Sequence, residues 1–416
     1  MQAESVRAAV APRRIRAVRA QKSLGVEALR GIAAVMVLSA HALSLLVPVS
    51  DADVPGWALV HPQLSSGFQL FFVVSGFLIA GPFLRDLIGS NPLPSVWPYA
   101  VRRLLRIGPA FWVVLLAFAI VIGGAWSADD WIAIITHATF TQDLVLHQSG
   151  AILPVAWTLG IEALFYVFVP AAAFVIRRHS QTVTAAQLEL WICVAWALSV
   201  AWELGFSLAF HAPYGSQAVS PRDDTLKLFT ISLPGMFCLF CPGLLVAVWR
   251  VSGRNFDGAR RHPGATVLAG CGLWLITAFA ESAIGGTFGA CLGDQLRGVA
   301  FAAVLVGAIS WQRAPGLVLR SAAGLGVVSY GIYLWHWLVI HGIEIAAGKP
   351  APFGGALGTP TAVGISLLAT LPFALISWYI VESPCQRLAA AIVHRPPADV
   401  PAVALDLRSP PPAAMP

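Results

Sequence analysis

Charge is what this sequence has least of. Only 11% of its 416 residues are Asp, Glu, Lys or Arg, against about 25% in an ordinary soluble domain. A chain this long has too little polar surface to cover a water-soluble core, which excludes a soluble globule; its apolar richness excludes a disordered protein. Cysteine is sparse too. Of the six thiols, Cys193, Cys238, Cys241 and Cys271 lie in apolar runs, where small buried hydrophobes are expected rather than a disulfide framework. Cys238 and Cys241 have CxxC spacing, but no second pair or His partner completes a metal site, so no bound metal is expected. Runs of short alternating strands are missing, against a membrane barrel. No GxxxxGK[ST] loop supports nucleotide hydrolysis.

What the chain has in quantity is apolar length. Hydrophobic residues make up 57% of it, and the mean hydropathy is +0.75. Ten apolar segments fall at roughly 31–48, 65–88, 107–125, 155–176, 188–210, 229–249, 265–283, 296–312, 323–345 and 361–381. Each can span a bilayer as a helix. Only internally hydrogen-bonded elements cross lipid, so the expected fold is an all-α polytopic membrane protein, a bundle of about ten transmembrane helices. With a cytoplasmic N-terminus, all but four of the 26 Lys and Arg residues fall on the cytoplasmic side; the four are Arg222, Lys227, Arg297 and Lys349. This asymmetry places both termini in the cytoplasm. It also explains the net charge of +6 without nucleic acid as a partner. Membrane lipids are the expected surroundings.

The expected organisation is a basic cytoplasmic tail over 1–23, a membrane domain over 24–388 and a Pro/Ala-rich disordered cytoplasmic tail over 389–416. The first 23 residues are too polar for a signal peptide, so no cleavage is expected.

Polar groups inside apolar segments are functional candidates. The first segment, "RGIAAVMVLSAHALSLL", holds Arg30 and His41. Eleven helical residues make three turns plus about 20°, so the two share one face about 16 Å apart. A neutral imidazole at that depth can take a proton from a hydroxyl. Taken singly, Arg30 reads equally as a snorkelling anchor and His41 as an interhelical hydrogen-bonding residue. Glu162 lies in "AWTLGIEALFYVFVP", and "VSYGIYLWHWLVIH" puts Tyr330, Trp335 and His336 on one helix; the latter also reads as an aromatic interface belt. In "YAVRRLLRIGPAFW", Arg102, Arg103 and Arg106 cluster between Pro98 and Pro109. Guanidinium forks suit phosphate, while positive-inside anchoring explains the same cluster without a ligand.

These segments occur together and in order. "LGVEALRGIAAVMVLSAHA", "FFVVSGFLIA", "RRLLRIGPAFW", "AWTLGIEALFYVFVP", "VSYGIYLWHWLVI" and "VESP" resemble the membrane-bound acyltransferase family 3, over about residues 24–388. The resemblance implies an integral membrane O-acyltransferase of a bacterial inner membrane. It would take an acyl group, acetyl above all, from cytosolic acyl-CoA to a hydroxyl of a sugar or lipid-linked sugar. Acyl-CoA would be a co-substrate, with no tightly bound cofactor. It also implies roles: Arg30 and His41 as the essential pair, Glu162 as the carboxylate of the "WTLGIE" motif, and Arg102, Arg103 and Arg106 as donor-binding groups. Ser75, Tyr330, Trp335 and His336 join the substrate-binding candidates, with His336 and Glu162 also placed to orient His41 or the acceptor. Glu27 and Ala28 stand where the family commonly has an Asp-Gly pair. The competing reading of a buried His and Glu is a proton-coupled transporter.

Overall fold

In lipid a helix is the element that satisfies its own backbone, and among the described residues the long apolar runs are helical. The computed structural model describes residues 2–48, 57–122, 127–210, 228–254, 256–311, 316–348, 352–354 and 358–394. In chain order the helices are α1 (Gln2–Leu46, its apolar span Leu24–Leu46), α2 (His61–Ile88), α3 (Val96–Ile122), α4 (Trp157–His179) and α5 (Ala185–Phe210). Next come α6 (Leu233–Leu239 with Cys241–Val251), α7 (Pro263–Ile284), α8 (Gly286–Ser310), α9 (Leu317–Val327 with Ser329–Ala346) and α10 (Gly358–Ser377). Among the described residues, eight helices are long and apolar enough to cross a membrane, and the two bent pairs, α6 and α9, bring the number to ten. This is an integral, multi-pass, all-α membrane protein.

Burial is inverted relative to a soluble protein. Large apolar side chains such as Val167, Phe174, Leu198 and Leu268 face outward, while Gln69, Glu203, Asp294, Arg297 and His336 are buried. A lipid-immersed bundle sorts this way, because its polar groups find partners only inside.

The bends have local causes. α6 turns by 55° where Pro242 occupies the start of its second piece, since proline cannot accept the preceding helical register. α9 turns by 70° at a Gly/Ser step. There the Ser329 hydroxyl donates to the Gly326 carbonyl at 2.8 Å, satisfying a group that the broken helix releases. α1 is central: it packs on α2, α8, both pieces of α9, and α10. A Cβ on Gly326 would overlap the Glu27 carbonyl, so α1 and α9 touch backbone to backbone.

Three boundaries differ from the sequence expectation. α1 runs back to Gln2, so residues 2–23 continue the first helix. A helix over Ser383–His394 takes in the first residues of the expected C-terminal tail, 389–394; residues 395–416 lie outside the described residues. α8 begins at Gly286, ten residues before the expected 296, because Gly285 and Gly286 turn the chain tightly with φ of 68° and 58°. Arg297, read as an outer-side charge, is instead buried within the bundle at 4% exposure.

Between α3 and α4 the chain makes a helix (Ala128–Ala138) and then folds Asp143 under itself. The Ser149 hydroxyl donates to Asp143 Oδ1 at 2.7 Å, and a Cβ on Gly160 of the "WTLGIE" segment would overlap Asp143 Oδ2. That glycine makes room for the carboxyl. Burial pushes the Asp143 carboxyl up to about 8, opposed by the Ser149 hydrogen bond. An Asp whose folded pKa lies above its unfolded value near ~3.9 binds its proton more tightly when folded. Folding therefore loses stability as pH rises between those two values. Asp143→Asn should raise Tm relative to the parent by about 3 °C or more at pH 8 and by much less at pH 5. Thermal unfolding curves that shift equally at both pH values would contradict this.

Candidate active site

Two cavities lie on either side of a thin wall. The first, about 80 Å³, is bordered by Arg30, Ser75, Arg103, Arg106, Glu162, Tyr166 and Tyr330. The second, about 430 Å³, is bordered by His41, Ser44, His61, Gln69, Trp157, Glu281 and Arg297. Phe68, Thr158 and Tyr333 border both. The wall is tied by the Thr158 and Tyr333 hydroxyls, 2.5 Å apart, and by the Tyr333 hydroxyl donating to the Val155 carbonyl at 2.7 Å. Because the Tyr333 proton goes to Val155, Thr158 is the donor between the two hydroxyls when the wall is closed.

The arginine cavity collects charge from three helices. Arg30 comes from α1 and donates to Glu27 Oε2 at 2.9 Å. Arg103 and Arg106 come from α3, with the Arg103 guanidinium over the Tyr99 and Tyr166 rings at 5.5 and 5.0 Å, a geometry that holds it by cation–π attraction. Glu162 Oε1 accepts from the Ser75 hydroxyl at 2.8 Å and the Tyr166 hydroxyl at 2.9 Å. Tyr330 gives its proton to the Ile107 carbonyl at 2.6 Å. Arg103 and Arg106 also border a surface groove with Arg102, Pro98 and Gln386, so arginines line a route from the surface inward. Arg102 itself is exposed and stays in that groove. Three guanidiniums border this cavity, Arg30 paired with Glu27, and their planar forks suit a phosphate-bearing ligand.

The imidazole of His41 sits across the wall. His336 Nδ1 lies 2.6 Å from the Tyr333 carbonyl, and a carbonyl can only accept, so that nitrogen carries a proton. In the neutral ring Nε2 is then an acceptor. It lies 3.0 Å from His41 Nδ1, which must therefore donate. The chain of hydrogen bonds leaves His41 with a lone pair on Nε2, the form a general base needs. Trp337 meets the His41 ring edge-on at a centroid distance of 5.2 Å and fixes its plane further.

The structure thus brings Arg30, Ser75, Arg103, Arg106, Glu162 and Tyr330 together, and places His41 in the neighbouring cavity. Glu162 bonds Ser75 and Tyr166 rather than orienting His41. His336 is fully buried and acts on His41, not as a cavity-lining group. Trp335 borders neither cavity; it packs on Phe373 at 5.4 Å. Not singled out from sequence were Trp337, within the segment that also reads as an interface belt, and the wall residue Thr158, one position after Trp157 in the "WTLGIE" motif. Also missed was Glu382 of "VESP", which is buried, accepts from Ser377 at 3.1 Å and lies within electrostatic reach of Arg30 and Arg106. Gln69 carried no signal beyond being a polar residue in an apolar run. The CxxC pair has a local explanation, each thiol donating to a backbone carbonyl at the α6 bend. Among the described residues, no three His, Cys, Asp or Glu side chains are grouped to hold a metal ion.

Inside a helical membrane bundle, a half-buried imidazole whose tautomer is set by its neighbour lies one wall away from a cavity carrying three guanidinium groups. The acyltransferase-domain family matches residues 23–379, and the chain belongs to that family: it is a membrane acyltransferase. It is 24% identical to "Nodulation protein 10" of Rhizobium leguminosarum bv. viciae, over 88% of this chain and 94% of that protein. It is 26% identical to "Exopolysaccharide production protein ExoZ" of Rhizobium meliloti (strain 1021), over 73% of this chain and 86% of that one. A third relative is the Bacillus subtilis (strain 168) "Putative peptidoglycan O-acetyltransferase YrhL", 24% identical over 76% of this chain and half of that protein. No solved structure matches the chain. Membership of an acyltransferase family favours transfer over transport for this chain.

The hydrogen bond between His336 and His41 is open to direct test. His336→Phe removes the acceptor of the His41 Nδ1–H and should lower kcat by about 10²-fold, the scale of general-base assistance. His336→Gln, which keeps an acceptor oxygen near the position of Nε2, should recover at least a tenth of the parental kcat. Equal losses in both variants would show that His336 serves packing alone.

Proposed function

We propose that this protein transfers an acetyl group from acetyl-CoA to a hydroxyl of a carbohydrate acceptor. The observation that carries the reading is the position of His41, in one cavity and one wall away from a cavity lined by Arg30, Arg103 and Arg106. The phosphates of the donor bind along the arginine groove, with Arg102 at its exposed end, and the thioester points towards the Tyr333–Thr158 wall. For the two substrates to meet, that wall opens. His41 Nε2 then takes the acceptor hydroxyl proton, and the oxygen attacks the thioester carbonyl. The C–S bond breaks and a C–O bond forms. The thiolate leaves and receives the proton from the His41 imidazolium, returning the imidazole to its starting form. His336 accepts a hydrogen bond from the His41 Nδ1–H throughout and steadies the imidazolium. Ser75 and Tyr166 hold Glu162, whose charge fixes the arginines.

A carbohydrate acceptor is supported by the names of the relatives, which include an exopolysaccharide production protein and a peptidoglycan O-acetyltransferase. The basic end of the bundle faces the cytosol of a bacterial inner membrane in this reading. Burial of Arg297 removes one of the four exceptions to the charge asymmetry, which supports the orientation.

The test uses purified protein in nanodiscs with labelled acetyl-CoA and an oligosaccharide acceptor. His41→Ala should lower transfer by ~10²-fold or more with insertion unchanged; retention above about a tenth of the parental rate would overturn its role. Separately, Arg103→Gln with Arg106→Gln should raise the acetyl-CoA KM more than the acceptor KM. Equal changes in both would return these arginines to membrane anchoring.

A further inference from the structure

The larger cavity contains an ion cluster that the transfer step does not use. Arg297, from α8, donates through one terminal nitrogen to Glu281 Oε2 of α7 at 2.7 Å and through the other to Asp294 Oδ1 at 2.7 Å. Gln69, from α2, donates its amide Nε2 to the same Asp294 oxygen at 2.7 Å. The tight α7–α8 turn makes this possible, because the glycines of α8 let the two helices close: a Cβ on Gly293 would come within 2.9 Å of Glu281 Oε2. Two groups are left over. Arg297 Nε, a donor, and Gln69 Oε1, an acceptor, are buried without a hydrogen-bond partner, in residues 4% and 1% exposed that both border the cavity. Unpaired buried polar atoms are costly. Through their other nitrogens both side chains share one Asp294 oxygen, beside the space that His41 borders, and an alcohol hydroxyl has the complementary groups, an O–H for Gln69 Oε1 and a lone pair for Arg297 Nε.

The charge balance sets the kind of alcohol. Two carboxylates face one guanidinium, so this wall is never net positive, whether or not one carboxylate holds a proton. Arg297 has both terminal nitrogens committed and has no fork to offer an acidic sugar. Trp157 adds an indole to the lining, an apolar surface for the C–H face of a sugar ring. We infer that the large cavity is the acceptor subsite, that Gln69 and Arg297 hold a hydroxyl of the acceptor, and that the site takes neutral or amino sugars and rejects uronates and other anionic glycans. The inference rests on the acyl-transfer reading for its biological meaning. Its physical content is a binding preference, and it does not depend on the donor. The two substrates are sorted by charge: an anionic donor on the arginines, an acceptor without negative charge beside His41.

The test is isothermal titration of the full chain in nanodiscs, without acyl-CoA, using cellobiose, the β-1,4-linked glucosamine disaccharide and cellobiouronic acid. Cellobiose and the glucosamine disaccharide should bind at least about tenfold more tightly than cellobiouronic acid, and Gln69→Leu should weaken cellobiose by about tenfold, the loss of one hydrogen bond with its partner left buried. CoA titrated into the same variant reports whether the fold is intact. The parental preference among the three sugars needs no variant at all. Equal binding of the uronate, or no binding of any of the three at 10 mM or below, would overturn the proposal. Charge-selective binding with no acetylation of any bound sugar would leave the subsite standing and instead refute the transfer reading.

Discussion

Inside this bundle every polar side chain has to find its partner within the protein, because the surrounding hydrocarbon offers none. The architecture follows from that constraint. His336 is fixed by the carbonyl that the helical turn before it presents, His41 is fixed by His336, and the tautomer of His41 is thereby set two hydrogen bonds away, at the Tyr333 carbonyl. Glu162 is likewise held by Ser75 and Tyr166 from two helices. Polar groups that would be ordinary surface residues in a soluble enzyme converge here on two internal spaces, and chemistry is possible where they meet.

Helix contact without side chains is what brings these groups close enough. Gly326 on α9 lies against the backbone of α1 at Glu27, and Gly243 on α6 lies against the Val73 carbonyl of α2. In lipid, where apolar side chains gain little by leaving the solvent, such close approach supplies dispersion contact instead. It fixes α1 with Arg30 and His41 at the centre of the molecule, and it lets the bent α9 deliver His336 and Tyr333 to the same depth as His41.

The ten spans were legible because apolar runs of membrane length have one stable outcome, and Arg30 and His41 were legible because a single helix sets their spacing. The pairing of His41 with His336 joins residues far apart in sequence, so only motif order hinted at it. Periodicity puts Trp335 and Trp337 about 200° apart on their helix but does not say which of the two faces looks towards α1; packing turns Trp337 to the imidazole and Trp335 to Phe373. Arg297 was misplaced for a related reason. The polar stretch "GDQLRG" looks like a loop when charges are taken as span boundaries, whereas two left-handed glycines ahead of it start the helix early and carry the cluster into the interior. Glu162 was visible as a carboxylate in an apolar run, but its partners Ser75 and Tyr166 depend on how α2 and α4 pack.

The wall of Phe68, Thr158 and Tyr333 has a consequence for the cell as well as for the reaction. A membrane enzyme whose cavities approach each other from opposite ends risks becoming a leak, since a continuous water column through a bundle containing imidazoles would dissipate the proton gradient that the membrane stores. Two hydroxyls closed on each other and on a backbone carbonyl, backed by an aromatic ring, interrupt that column with protons already committed. While these hydroxyls stay paired, the two cavities remain separate spaces and no water-filled passage joins them.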